Sequence, residues 1–448
     1  MPIIRSISGL RATISDSCLS RELIKNYISA YTNCLSNGPI VIGRDGRPSG
    51  KWIEEDIIEL LINLGWDVKR LGIVPTPTVQ IITEKTDAAG GIVITASHNP
   101  SDWNGLKFIN SSGIFFDAKE NSILWKYLDS NSQPRRLSIN KGQAIEVNDA
   151  INFHIEKIFE LPFWNKITKY PLNASVDAVN SAGSKAIPAL LERLDCTVNR
   201  LYCNGSGNFP HLPEPLPENL ADLCIAVRES HSQIGLAVDP DADRLVLIDE
   251  NGNAIGEENT IVLAVWSVLE FSDNPSEVSI VVNHSTTQSV DEIANKYGAK
   301  VYRSPVGEIN VVKKMQEIGA IIGGEGSGGV IYAPLHYGRD SLIGTSLVLA
   351  LMWKLNKTLG ELKEMLPKNV IVKTKMQFEG DFAQLSENIR SEFPNNEMNI
   401  EDGIKIFYPQ SWVQIRKSNT EPIIRVISEA KNEELAQELI NKIKKIIK

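Results

Sequence analysis

Four short stretches of the chain combine residue types that can bind or transfer a charged group. The most acidic is Asp239-Pro-Asp-Ala-Asp-Arg244, set between the apolar runs GLAV and LVLI. Carboxylates at i, i+2 and i+4 converge on one cation when the loop is extended or tightly curled. All-oxygen ligation suits Mg2+, which leaves positions for phosphate or water. The alternative is a solvated acidic loop, but so many acids between two apolar runs are costly without a cation. A calcium EF-hand would also place Asp239, Asp241, Asp243 and Glu250 at its first, third, fifth and twelfth positions. It fails where the sharp turn wants Gly and the chain has Arg244, and again because LVLID is strand-like.

The second stretch, Thr95-Ala-Ser-His-Asn-Pro100, follows the apolar run GIVI. A hydroxyl at the end of a buried strand can present a nucleophile; the same composition also suits a plain Ser/Asn/Pro turn. It is not the G-x-S-x-G elbow of α/β-hydrolases. Lys107, in Trp103-Asn-Gly-Leu-Lys-Phe108, is close enough in sequence to bring a cation to it. The third stretch is Gly323-Gly-Glu-Gly-Ser-Gly-Gly329. Its glycines let backbone approach a ligand, while Glu325 and Ser327 supply an acceptor and a hydroxyl; no Gly-Lys-Ser/Thr follows, so it is not a Walker A loop. The fourth is Arg416-Lys-Ser-Asn-Thr-Glu-Pro422 with Ile423-Ile-Arg425. Forked Arg contacts and small hydroxyls suit a phosphate, and a surface turn before a strand is the alternative.

These loops need elements to hold them. Pro39–Gly43, Gly91–Thr95, Leu245–Asp249, Val278–Asn283 and Ala320–Gly323 read as buried strands. Gly50–Leu64, Gly183–Leu194 and Val290–Tyr297 show helical spacing of apolar residues. Strand alternating with helix indicates an α/β protein with parallel or mixed sheets. Three of the loops follow strands, and ligands in open α/β sheets sit beyond strand carboxyl ends. No fixed repeat period appears. Asp129–Gly142 reads as a linker or loop, and Asn204–Pro217 as an irregular proline-rich loop. Phe271–Glu277 and Glu364–Val370 are further candidate joints. Asn432–Lys448 reads as a Lys-rich amphipathic helix with a solvated charged face.

A chain of 448 residues exceeds what one hydrophobic core supports, so several domains are expected. With 42% apolar and 23% charged residues, its composition is that of a globular protein. The formal charge of −9, without a basic block, argues against nucleic acid or an anionic membrane as partner. A phosphorylated small molecule needs only a few well-placed cations. Cys18, Cys34, Cys196, Cys203 and Cys224 are scattered with no C-x-x-C pair, against a disulfide framework or zinc site. No apolar h-region opens the sequence, and LIGTSLVLALMW from Leu342 falls short of a membrane span. A cytoplasmic, soluble protein is expected.

Taken together and in order, the four loops resemble the α-D-phosphohexomutase family. Its pattern is a T-A-S-H-N-P phosphoserine loop, a D-x-D-x-D-R magnesium loop, a G-E-x-S-G sugar loop and an R-x-S-[GN]-T-E-P phosphate loop. Ser8-Gly-Leu-Arg11 is similar to the family's G-I-R-G, and Gly43-Arg-Asp-Gly-Arg47 to its G-R-D-x-R. Asn208–Leu220 resembles the proline-rich segment before the metal loop, so the likeness spans essentially the whole chain. It implies four domains around a central cleft, three α/β with mixed sheets and a smaller C-terminal α+β one. Residues 1–145 would carry the phosphoserine loop, 146–255 the metal loop, 256–368 the sugar loop and 369–448 the phosphate loop.

The resemblance makes Ser97 the phosphorylated serine, with Asp239, Asp241 and Asp243 holding Mg2+ together with a phosphoserine oxygen. Arg11, Lys107, His98 and Arg244 would surround the transferred phosphoryl group. Glu325 and Ser327 would grip sugar hydroxyls, and Arg416, Ser418, Asn419, Thr420 and Arg425 would hold the non-reacting phosphate. The implied reaction moves a phosphoryl group between O6 and O1 of a hexose phosphate through a 1,6-bisphosphate. Glucose or glucosamine 1,6-bisphosphate would be the activator, domain closure would accompany turnover, and the protein would be a monomer or homodimer. The chain departs from the pattern at Gly329, where many members have His, and at Glu308, where several phosphomannomutase/phosphoglucomutase members carry His. These features, with Trp103–Lys107, look more like phosphoglucosamine mutases of the archaeal and Bacteroidetes type. Glucosamine 6-phosphate to glucosamine 1-phosphate is therefore the expected reaction, with mannose or glucose phosphates as the alternative. A sugar-phosphate phosphatase and a non-catalytic sensor are the remaining readings. His284 lies near where other members have a sugar-site Lys, and also suits a buried, satisfied histidine.

Overall fold

The computed structural model describes residues 3–15, 17–417 and 423–447. Its strands form four sheets, three of which repeat one arrangement. In the first, Ile40–Arg44 lies between Val68–Ile73 and Gly90–Ile94, all parallel, and Trp103–Asn110 then runs antiparallel beside Gly90–Ile94. In the second, Asn173–Asp177 lies between Thr197–Leu201 and Ile234–Val238, and Leu245–Ile248 runs antiparallel. In the third, Ser279–Asn283 lies between Lys300–Ser304 and Ile322–Glu325, and Gly329–Tyr332 runs antiparallel. Each unit thus has strand order 2-1-3-4, with helices in its crossovers. The first sheet gains Ile4–Ser6 and Gly9–Thr13 on one edge and Ala144–Glu146 on the other.

The absence of a sequence period therefore hides a repeated topology, because the repeat lies in strand order and not in residue identity. In every unit the candidate loop joins the third strand to its antiparallel neighbour. Residues 95–102, 239–244 and 326–328 occupy equivalent places at a strand carboxyl end. The C-terminal sheet is antiparallel throughout, in the order Val370–Gln377, Ile423–Ala430, Ser411–Lys417, Ile404–Tyr408, Met398–Asn399. Its candidate loop also connects a hairpin, between Ser411–Lys417 and Ile423–Ala430.

Apolar packing groups the units unequally. The second and third sheets share one continuous core through the helices Glu258–Phe271 and Ser341–Leu355. The second of these helices contains the long apolar run and is buried from Ser341 through Trp353. No helix of the described residues is long and apolar enough to cross a membrane. The C-terminal sheet has a separate core, onto which the helix Glu433–Ile447 lays Leu439, Ile440 and Ile443.

Two sequence expectations shift. Phe271–Glu277 joins a helix to a strand inside the third unit and is not a joint between units. The strand expected at Ala320–Gly323 runs instead from Ile322 to Glu325, because Gly319 ends the preceding helix at φ +68° and Ala320 N still bonds Met315 O. Most of the glycine run is therefore strand. A Cβ at Gly323 would lie 2.5 Å from Met315 Sδ, and one at Gly324 would lie 2.2 Å from Gly329 O. These two glycines serve close packing rather than a ligand's approach.

Candidate active site

Ser97 is buried at the end of the first unit's third strand, with φ +51° in the left-handed region that non-glycine residues rarely adopt. Side chains over-determine that conformation. Thr95 Oγ1 accepts from Ser97 N (2.8 Å) and donates to Asp45 Oδ2 (2.7 Å). Arg47, fully buried, pairs with Asp45 (3.0 Å) and donates to the carbonyls of Ser97 (2.7 Å), Asn99 (2.6 Å) and Trp103 (2.9 Å). Burial raises the Asp45 carboxyl above its ordinary range, against the pull of Arg47. The Gly43–Arg47 motif is thus the girdle of the serine loop. Ser97 Oγ donates to Asp239 Oδ2 (3.1 Å) and lies 3.3 Å from His98 Nδ1.

The acidic loop is held by all three α/β units. Its own Ser181 Oγ donates to Pro240 O (2.6 Å), Thr76 N of the first unit to Asp241 O (2.9 Å), and Ser341 Oγ of the third to Ala242 O (2.7 Å). Ala242, at φ +51°, turns the chain so that the flanking acids converge. Asp239, Asp241 and Asp243 are completely buried and each offers a carboxylate oxygen within 4.8 Å of the others.

Each carboxylate has one oxygen tied back into the protein; the second oxygen of Asp239 accepts from Ser97, and those of Asp241 and Asp243 are open. Asp239 Oδ1 accepts from the backbone N of Asp243 and Arg244 (both 3.2 Å), leaving Oδ2 toward Ser97. Asp241 Oδ2 accepts from Thr76 Oγ1 (2.7 Å) and Lys107 Nζ (2.6 Å). Asp243 Oδ2 accepts from Arg339 Nη2 (2.7 Å) and Lys107 Nζ (3.3 Å). Asp241 Oδ1 and Asp243 Oδ1 are buried without a hydrogen-bond partner. A pair of orphaned carboxylate oxygens beside a third acid fits a hard divalent cation.

Burial and the neighbouring acids raise the Asp239 carboxyl well above its ordinary range. Burial also disfavours charge on Asp241, but Lys107 and Thr76 outweigh it and hold that carboxyl low. Lys107, itself buried, is kept charged by the same acids against its desolvation.

Other expected residues ring this centre. Arg11 Nη1 donates to Asn99 Oδ1 (3.1 Å) on the serine loop. Arg244 and His98 flank Glu214 of the proline-rich loop, at 3.8 and 3.9 Å. Desolvation and nearby Arg244 hold the His98 imidazole well below its usual range, so it is neutral near pH 7. Glu325 Oε1 accepts from Asn283 Nδ2 (2.9 Å) and Gly307 N (3.0 Å), and Oε2 from Arg339 Nη1 (2.8 Å). Ser327 is half-buried at the hairpin tip.

Arg416 and Arg425 face each other across the C-terminal hairpin, in register on adjacent strands. Arg416 Nε lies 3.7 Å from Asp402 Oδ1, whose other oxygen accepts from Val306 N (3.0 Å). The fourth loop is thereby tied to the third unit and makes no ion pair with the acidic loop among the described residues. Ser418, Asn419 and Thr420 lie outside the described residues. His284 is buried and paired with Glu401 (2.9 Å), in keeping with a satisfied histidine.

Sequence reasoning missed Thr76, the function of Asp45 and Arg47, and Arg339. Arg339 sits in an Arg-Asp pair, but the chain carries another at Arg44-Asp45, so nothing local singles it out.

Comparison with known proteins agrees with this layout. The "Phosphoglucomutase/phosphomannomutase" family descriptions match as alpha/beta/alpha domain I over residues 3–135, domain II over 152–252, domain III over 257–370 and the C-terminal domain over 368–446. A phosphoglucomutase/phosphomannomutase of Thermococcus kodakarensis is 37% identical, over 90% of this chain and 88% of its own. A phosphoglucosamine/phosphogalactosamine mutase of Sulfurisphaera tokodaii is 30% identical, over 98% of both. Among solved structures, a phosphoglucomutase/phosphomannomutase family protein of Burkholderia thailandensis superposes with a TM-score of 0.85 at 25% identity, covering 99% of this chain and 97% of that one. With every domain of the family present in order and relatives matched over nearly full length, the chain belongs to the phosphoglucomutase/phosphomannomutase family, the α-D-phosphohexomutases, and is an isomerase-class phosphotransferase.

Proposed function

We propose that the protein interconverts glucosamine 6-phosphate and glucosamine 1-phosphate through phospho-Ser97 and a hexosamine 1,6-bisphosphate. The observation that carries this reading is the placement of Ser97 Oγ 3.1 Å from Asp239, beside the orphaned oxygens of Asp241 and Asp243. Asp239, Asp241 and Asp243 would hold Mg2+. Once bound, it supplies charge neutralisation for the transferring phosphoryl group.

The chain's own residues do the rest. The Arg47 girdle holds buried Ser97 in its left-handed backbone conformation, so little reorganisation accompanies attack. The P–O bond to Ser97 breaks as the free sugar hydroxyl forms its bond to phosphorus, and the hydroxyl proton leaves to a base. Lys107, held by Asp241 and Asp243, would offset the negative charge of the transferring group, and Arg11, Arg244 and His98 would line its approach. The intermediate then turns over, returns its other phosphoryl group to Ser97, and leaves as the isomeric monophosphate. Glu325 and Ser327 hold sugar hydroxyls, while Arg416 and Arg425, with Ser418, Asn419 and Thr420, grip the idle phosphate in both orientations.

The glucosamine preference draws support from relatives bearing that name and from Gly329 and Glu308. Coupled assays with glucosamine, mannose and glucose 1-phosphates, primed with glucose or glucosamine 1,6-bisphosphate, test it. Glucosamine phosphate should give the highest kcat/KM, and its absence among the substrates would sink the preference. Mass spectrometry should find phosphate on Ser97. Full activity in Ser97→Ala would refute the phosphoserine route.

A further inference from the structure

Arg339 joins the two halves of the site. It is buried, and its guanidinium reaches Asp243 Oδ2 through Nη2 (2.7 Å), Glu325 Oε2 through Nη1 (2.8 Å) and Glu308 Oε2 at Nε (3.2 Å). Its backbone N donates to Glu308 Oε1 (3.1 Å). The next residue, Asp340, is itself clamped by His154 (2.9 Å) and His336 (3.3 Å) and caps the core helix Ser341–Leu355. The arginine is therefore mounted on the rigid core shared by the second and third units.

The two departures from the family pattern meet at this residue. A Cβ at Gly329 would lie 2.3 Å from Arg339 Cδ, so glycine there makes room for the arginine. Glu308 is one of its anchors. Gly329, Glu308 and Arg339 form one structural unit rather than separate substitutions.

We infer that Arg339 is a positioning residue that couples metal binding at Asp243 to sugar binding at Glu325. One planar fork binds both carboxylates, so neither can reorient alone. It occupies Asp243 Oδ2 and leaves Oδ1 for the cation. When a cation neutralises Asp243, the guanidinium charge falls more fully on Glu325 and Glu308 and fixes them for the sugar. Metal and hexose phosphate should each tighten the other, by equal factors.

The inference rests on the proposed magnesium and hexose phosphate chemistry. Mg2+ binding is titrated calorimetrically with and without saturating glucose 6-phosphate or glucosamine 6-phosphate, using unphosphorylated protein. Wild type should show at least about a 5-fold mutual tightening, the lower end of ordinary coupling. Arg339→Lys keeps the charge but cannot fork, and should reduce the coupling to within about 2-fold. Attraction between the metal and the ligand phosphate alone would survive this substitution, so retained coupling in a folded Arg339→Lys protein overturns the inference. Gly329→Ala displaces the arginine without removing it and should reproduce the loss; it decides the matter if Arg339→Lys does not fold. No binding of Mg2+ or of either hexose phosphate by wild type would overturn the proposed function as well. Binding of both without coupling overturns this inference alone.

Discussion

Asp241→Asn tests the metal centre through an asymmetry the structure makes explicit. The two oxygens of Asp241 do different work, Oδ2 accepting from Thr76 Oγ1 (2.7 Å) and Lys107 Nζ (2.6 Å) while Oδ1 has no partner. An amide can satisfy only one side. If its oxygen keeps Thr76 and Lys107, its NH2 points at the cation position. If its oxygen faces the cation, its NH2 is forced against the Lys107 ammonium. Either orientation loses at least one contact to a charged group, worth about 1.5–3 kcal/mol. At 1.4 kcal/mol per tenfold, the Mg2+ dissociation constant should rise roughly 10- to 150-fold. Calorimetric titration with Mg2+ measures this directly, and turnover at limiting and saturating Mg2+ separates affinity from chemistry. Circular dichroism should remain that of wild type, since Asn matches Asp in volume. A folded variant with Mg2+ affinity within about 2-fold of wild type, and full turnover at limiting Mg2+, would refute the assignment of Asp241 as a ligand.

Arg47→Met leaves Asp45 buried without its cation and frees the serine-loop carbonyls. Breaking a buried pair from one side costs about 3–5 kcal/mol, and a urea-unfolding loss below about 1 kcal/mol would contradict the girdle. Gly326→Ala places a Cβ 1.9 Å from Glu258 Oε2, an oxygen that already accepts from Thr287 N (3.1 Å). The sugar hairpin must shift, so KM for hexose phosphate should rise about tenfold or more while Mg2+ affinity of the free protein stays within about twofold, a split read at about 1.4 kcal/mol per tenfold. Unchanged KM would show that Ser327 does not touch substrate. Burial raises the Glu258 carboxyl to about 7 from 4.5, against the pull of Lys373. A raised folded value stabilises fully below the unfolded one and is lost as pH rises through the folded one. Stability should therefore fall between pH 4.5 and 7, by on the order of 3 kcal/mol at most, and the fall should vanish in Glu258→Gln. An unaltered pH slope in that variant would rule the carboxyl out as its source.

What the sequence shows and what it hides divide along a physical line. GIVI and GLAV are legible as strands because both faces of a central strand are buried, which demands unbroken apolar residues, whereas AII places its strand two residues early. The loops after them are legible because their chemistry is contiguous: Asp239, Asp241 and Asp243 sit within one turn of chain. Arg339 is not, since its partners Asp243 and Glu325 come from distant parts of the chain, and nothing local distinguishes a buried guanidinium from a surface one. Thr76 is equally silent, an ordinary helix-start residue until the fold sets it against Asp241. Gly323 and Gly324 mislead for a related reason, because glycine selected for packing and glycine selected for a ligand look alike in a string of letters. The 2-1-3-4 order is invisible until strands pair, since topology is written in long-range contacts.

The unequal division of apolar cores bears on how the intermediate of the proposed mechanism would turn. A denaturant or hydrogen-exchange experiment would see the second and third units open as one cooperative block, because no surface within their common core separates them. The C-terminal unit holds to that block through polar groups instead: Glu429 with Gln288 N (2.9 Å), Asp402 with Val306 N (3.0 Å), Lys405 with His284 O (2.6 Å) and Lys373 with Glu258 (2.8 Å). Water can take over each of these bonds, at a net loss of about 1.5–3 kcal/mol apiece because each involves a charged group. On the proposed mechanism, the second and third units would be the fixed anvil, and the unit carrying Arg416, whose apolar core is its own, would be the part that lifts and sets down again as the sugar half-rotates.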